Sequence, residues 1–171
     1  RGAGMGPDAL RVAGLFEALR SHKLNVIDHG NLAGPPTPWT APTGGVRHLE
    51  EVVAWNRSVF DRVAAVLAAG QVPLLMGGDH CLAIGSISAV ARHCRYAKKH
   101  LRVIWLDAHG DLNTPETTPS GFLDGMALAT VIGYWAFRND DIYSEGAPMN
   151  AQLFTGLTVE PDRHLVVAPL D

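Results

Sequence analysis

The hydrophobic positions change their period several times along the chain. Leu10, Ala13, Leu15, Phe16 and Leu19 recur at helical spacing after Gly6-Pro7, a natural first turn, and predict a helix of about four turns. Residues 24–29 are short, partly β-branched and run into Gly30-Asn31, the pattern of a strand with a turn behind it. Four prolines and three glycines then surround Trp39 in residues 31–46, a composition that predicts a long loop. Leu49, Val52, Val53, Val59, Phe60, Val63, Val66 and Leu67 restore the helical period over 48–70, and Gly70 closes the helix. The apolar run 72–76 is too short for a helix and stops at Gly77-Gly78; a helix through Ile84, Ile87, Val90 and Ala91 follows. Residues 102–106 form a second such strand, 126–135 a short helix and 164–170 a last strand. Apolar strands alternating with helices predict a mostly parallel sheet covered on both faces, an α/β doubly wound or related three-layer architecture in one domain over residues 1–171.

Composition narrows the classes of function. With 171 residues, 47% of them hydrophobic, the chain can form a core without disulfides or a structural metal. The 14 Lys and Arg against 17 Asp and Glu leave no basic excess, and the basic residues do not cluster, which argues against nucleic acid and anionic membranes as partners. Cys81 and Cys94 make no Cys-x-x-Cys pair, as expected of a reducing, cytoplasmic location. No apolar run approaches the roughly 18 residues needed to span a bilayer.

Ligands of parallel α/β sheets bind beyond the carboxyl ends of the strands, so polar groups just after apolar runs are the first candidates. Gly77-Gly-Asp-His80 follows the run at 72–76, and Asp107-Ala-His-Gly-Asp111 follows the run at 102–106. If the extended backbone persists, Asp107, His109 and Asp111 point to one side. Two carboxylates and an imidazole packed together repel unless a cation neutralises them, and oxygen with imidazole ligands, without thiolate, suits Mn²⁺ or a related octahedral ion. His80 offers another nitrogen. Alternatively, Asp107 caps a turn, His109 is a core histidine and Asp79-His80 is ordinary turn composition.

The stretches 77–88 and 107–115, with Ser120-Gly121, Gly6-Pro7 and Gly156-Leu157, resemble the arginase branch of the ureohydrolase family across almost the whole chain. That resemblance implies a three-layer α/β/α sandwich and a Mn²⁺-dependent amidinohydrolase. Such an enzyme hydrolyses the guanidino group of L-arginine or a close analogue through metal-bound hydroxide and releases urea. By the same resemblance His80, Asp107 and Asp111 hold one of two Mn²⁺ ions and Asp107 with His109 the other, while Asn113 and Ser120 contact the amino-acid end of the substrate. Asp171 falls where the family places a ligand for the substrate amino group. A homo-oligomer, trimer or hexamer, is the family habit.

Two departures qualify that expectation. The family's later Asp-x-Asp pair, the glutamate beyond it and the strand ahead of Arg1 are absent, so the sequence reads as a portion of a longer enzyme, lacking the N-terminal edge and the C-terminal part of the fold. Without those ligands a non-catalytic remnant with an incomplete metal site is a third reading. The second departure is Ser120-Gly-Phe-Leu-Asp-Gly125, where the arginases read Ser-Gly-Asn-x-His-Gly. Phe122 replaces an amide that would hold the substrate carboxylate, and Asp124 replaces a histidine of the proton-transfer step. Asp124 is then either an acid-base catalyst or the cap of the helix that follows. With residues 113–118, this loop is also similar to hydroxyarginine-hydrolysing relatives, so N-hydroxyarginine or another guanidino or amidine compound is the alternative substrate.

Overall fold

The computed structural model describes residues 2–36 and 41–132. The strand expected at 164–170, the end of the helix expected at 126–135, Trp39 and Asp171 lie outside the described residues. A 3-10 turn at Gly2–Met5 leads into α1, Gly6–Val12, and α2, Leu15–Ser21. The expected single helix is therefore broken in two. Gly14 adopts a left-handed φ of 83°, a conformation no helix interior accepts and one that glycine adopts without penalty. The long amphipathic stripe forms α3, Leu49–Ala68, and the chain leaves it through Gly70 in the left-handed region. A 3-10 turn, His80–Leu82, opens α4, Ala83–Tyr96; another, Asp124–Met126, opens α5, Ala127–Val131.

Helix α3 packs along α4, and α4 along α5. The main core joins them through Leu49 and Val53 of α3, Ile84 of α4, and Leu123, Met126 and Val131 around α5, with Val46 beneath the loop. Each such aliphatic side chain contributes about 1.5–3 kcal/mol relative to exposure. A second cluster, Val59, Val63 and Ala89, extends the α3–α4 contact along the helices.

The expected strands are not paired. Among the described residues no strand ladder forms, and the β pairing present is an isolated antiparallel bridge between Thr43 and Val46 around Gly44-Gly45. Residues 101–107 nevertheless keep a strand's period of two. Leu101, Val103, Trp105 and Asp107 are half-buried, whereas Arg102, Ile104 and Leu106 are exposed, Ile104 by 83%. A cavity of about 940 Å³ is lined by both 24–32 and 71–79, and one of about 420 Å³ by Pro73, Leu75 and 101–106. No helix among the described residues is long and apolar enough to cross a membrane.

Candidate metal centre

The ends of two of these segments meet. Beyond residue 76 the backbone turns at Gly77-Gly78, and the Asp79 carboxylate accepts the Cys81 N–H at 3.0 Å, an N-cap that starts the 3-10 turn and aims His80 inward. The His80 ring stacks on Trp105, centroids 4.1 Å apart and planes 20° apart, so the wall of the neighbouring segment fixes its orientation. Its Nδ1 lies 2.7 Å from Asp107 Oδ2 and 3.0 Å from Asp111 Oδ2. One donor atom from each of the three residues falls within 4.8 Å of the others.

The route by which the carboxylates converge differs from the sequence expectation. Residues 107–111 are not extended: the His109 N–H folds back onto Asp107 Oδ1 at 2.9 Å, and Asp111 has a left-handed φ of 48°. That local turn, not strand alternation, brings the buried Asp111 under Asp107. Asp111 is held from behind, where its carbonyl accepts the Ala129 N–H of α5 at 3.0 Å. His109 points outward, its side chain 82% exposed, but its Nδ1 lies 3.0 Å from Asp107 Oδ1. Asp107 thus presents one oxygen to each histidine.

The two acids are perturbed in opposite senses. The His109 backbone N–H, helped by His80, holds the Asp107 carboxyl below the usual carboxylate range. Burial, followed by the charge of Asp107, pushes Asp111 up. A single imidazole nitrogen facing two carboxylate oxygens is under-neutralised when both acids are ionised. The oxygen and nitrogen donors fit a hard or borderline divalent cation, and the buried Asp111 is the group such a charge would relieve.

The remaining candidates lie along the loop into α5. The Asn113 N–H donates to the Gly125 carbonyl at 3.1 Å, and the Asn113 side-chain oxygen accepts from Thr117 Oγ1 at 3.2 Å. Ser120 Oγ accepts the Phe122 N–H at 3.2 Å. Asp124 is not one of the three convergent residues, yet its charge reaches Asp111 and Cys81. It stands in the first turn before α5, where its Oδ1 accepts the Gly125 N–H at 2.7 Å. Cys81 is buried and its thiol is pushed up by that burial, as an inert core cysteine would be. Two participants were not legible in the sequence as part of the site: Trp105 as the platform for His80, and Arg47. Arg47 donates through Nε to the Ser120 carbonyl at 3.0 Å, and its guanidinium stands over the Phe122 ring at 5.5 Å.

The chain as a whole is similar to known proteins. The model of the arginase family matches residues 1–152. An arginase of Brevibacillus brevis is 42% identical over 134 residues, 78% of this chain and 44% of the relative. Arginase-1 of Rattus norvegicus is 38% identical over 99% of this chain and 53% of its own length. Among solved structures, the arginase of Bacillus caldovelox matches with a TM-score of 0.69 at 39% identity, over 75% of this chain and 42% of that one. That of Bacillus cereus matches with a TM-score of 0.66 at 40% identity, over 76% and 41%. The described residues therefore share the arginase α/β fold, and the chain spans about half the length of the curated relatives it matches. With the family model aligned over residues 1–152, and with His80, Asp107 and Asp111 converging beyond two apolar segments, the chain belongs to the arginase family.

Proposed function

We propose that this chain forms the metal-binding half of an amidinohydrolase that releases urea from the guanidino group of L-arginine or a close analogue. The observation that carries the reading is the convergence of His80 Nδ1 on oxygens of Asp107 and Asp111, with the second Asp107 oxygen turned to His109. In that reading His80, Asp107 and Asp111 hold one divalent ion, and Asp107 with His109 a second. Mn²⁺ suits the donor set. When bound, such ions supply Lewis acidity and make water nucleophilic near neutral pH. The protein does the rest: Trp105 and the Asp79 cap orient His80, the turn at 107–109 orients Asp107, and α5 holds Asp111 by its carbonyl. The acidic cluster attracts the cationic guanidinium, and Asn113 and Ser120 face the tail of the substrate. In the whole protein the segments 24–29, 72–76 and 101–106 become strands of a mostly parallel sheet in a three-layer sandwich; the clefts between them, and their unpaired backbones, are where further strands fit. A single domain over 1–171, a cytoplasmic location and a trimeric or hexameric homo-oligomer complete the reading.

The test is to load the intact protein with Mn²⁺, count the ions bound and follow urea release from a panel of guanidino compounds. Two ions per chain and metal-dependent urea support the reading; no ion or one, with no urea from any compound, sinks it. Phe122 and Asp124 favour a second substrate, N-hydroxyarginine, for which the product to measure is hydroxyurea. Asp124 serves as the acid-base group in either case. Asp124→Asn is expected to lower kcat by about 100-fold. An unchanged kcat would leave Asp124 as a helix-terminal acid alone.

A further inference from the structure

We propose that Asp124-Gly125 is a site of spontaneous covalent modification, at which Asp124 closes on the next peptide nitrogen, passes through a cyclic imide and emerges as isoaspartate. The consequence for activity rests on the acid-base reading of Asp124 given above; the covalent change does not. Asp124-Gly125 is the one place in the sequence where an Asp or Asn precedes Gly, and it arises from the departure at position 124. A glycine nitrogen has no side chain beside it to hinder its approach to the neighbouring carboxyl. The local geometry brings the reacting atoms together. The Asp124 side chain folds back onto the following peptide, where its Oδ1 accepts the Gly125 N–H at 2.7 Å. A carboxyl C–O bond adds only about 1.2 Å, so Cγ lies at most about 4 Å from that nitrogen, close to the roughly 3–3.5 Å of a near-attack arrangement.

The surroundings hold that geometry without sealing it. Leu123 and Met126 on either side are buried, whereas Asp124 and Gly125 are half-buried, so the turn is pinned from below and open to water from above. The Gly125 carbonyl accepts the Asn113 N–H at 3.1 Å, which fixes the far side of the residue. The Gly125 N–H stands in the first turn of its 3-10 segment, where donors lack intrahelical acceptors, so its release breaks no backbone ladder. The step needs no co-reactant but water. The nitrogen loses its proton to solvent and attacks Asp124 Cγ; the N–Cγ bond forms, one Cγ–O bond breaks and that oxygen leaves as water. Water then opens the imide. Opening at Cγ restores aspartate, whereas opening at the main-chain carbonyl leaves the chain running through Cγ, with the carboxylate attached directly to Cα. The main chain gains a methylene and the carboxylate loses one. The oxygen that accepted the Ala127 N–H becomes part of that carboxylate, so the turn that opens α5 changes with it.

The intact Mn²⁺-loaded protein is incubated at physiological temperature in heavy-oxygen water. Each passage through the imide places one heavy oxygen in residue 124, and peptide mapping reads label and isoaspartate independently of urea release. Two references run beside it: Gly125→Ala, and a synthetic peptide of residues 120–128 in which no fold holds the pair. The added methyl fits, because a Cβ at 125 would lie 3.7 Å from Asn113 Nδ2, an ordinary contact, and the residue does not use a left-handed φ; it crowds only the attacking nitrogen. The expected result is label and isoaspartate at residue 124 ahead of the other aspartates, accumulating at least as fast as in the peptide and nearly absent from Gly125→Ala. Urea release is expected to fall in proportion to the isoaspartate formed. A slower rate in the folded protein than in the peptide, or equal labelling of the unaltered protein and Gly125→Ala, overturns the assignment. Labelling with constant urea release supports the site and overturns the acid-base role of Asp124. Labelling of a protein that releases no urea from any guanidino compound likewise supports the site while the amidinohydrolase reading falls.

Discussion

Replacing Asp107 with Asn is expected to weaken Mn²⁺ binding at least about 100-fold and to reduce urea release about 1000-fold or more. Asp107 is the residue whose two oxygens face different histidines, so its loss reaches both halves of the proposed centre, whereas Asp111 faces only His80. The metal-free protein separates binding from folding. The Asp107 carboxyl is held low, so it contributes stability above its unfolded pKa, and that contribution is lost as pH falls through the folded value. The Asp111 carboxyl is pushed up by burial, so its contribution is present at low pH and is lost as pH rises from the unfolded value through the folded one. At neutral pH without metal, Asp107→Asn should therefore lower Tm, and Asp111→Asn should raise it. Asp107→Asn should all but abolish the Mn²⁺-dependent rise in Tm that a ligand binding only the folded state must produce, and Asp111→Asn should diminish it, because the Asp107–His109 half remains. Calorimetric titration with Mn²⁺ and thermal melts with and without the ion check both statements; an Asp107→Asn protein that binds Mn²⁺ as before would exclude Asp107 as a ligand.

The helices and the centre were legible in the sequence for different reasons. The stripe from Leu49 to Leu67 buries one face against α4, and a period sustained over five turns is hard to satisfy in another way. The break at Gly14 was not legible, because Leu10, Ala13 and Leu15 keep the helical period across it and only the backbone records the left-handed glycine. The apolar runs at 72–76 and 102–106 have strand composition, and the second shows strand alternation, but pairing is a property of neighbours, and among the described residues neither run forms a ladder. At the centre, the polar groups after each run gave away His80, Asp107 and Asp111, although the geometry uniting them is a folded turn. Arg47 carried no signal: it lies 73 residues from Ser120, at the end of a loop whose prolines and glycines predict only irregular backbone, and its contacts exist only once that loop folds over Gly121.

The contact that sets the scaffold beneath the centre lies between α3 and α4, and Gly85→Ala is expected to lower Tm by about 5–10 °C. Helix propensity alone predicts the opposite sign, since alanine favours a helix over glycine by about 1 kcal/mol. Packing overrules it. A methyl at position 85 would drive into the Asn56 carbonyl oxygen, a backbone atom inside α3 that can move only if the helices separate. The same close approach lets the Asn56 side chain, 0% exposed, accept the Gly85 N–H at 2.7 Å, near the start of α4 where backbone donors lack intrahelical acceptors. Its Nδ2 donates to the Val52 carbonyl at 2.9 Å, which locks the rotamer. Asn56→Leu keeps the volume and the hydrophobic stripe but orphans the Gly85 N–H, at a cost of about 1–3 kcal/mol. Because α4 begins beyond the turn that carries His80, separating the helices should also displace the His80 ring from Trp105. Melts of the two variants, with Trp fluorescence followed during Mn²⁺ addition, test the coupling: Gly85→Ala should lose both stability and metal affinity, and a variant as stable as the parent would show that the helices have room to part.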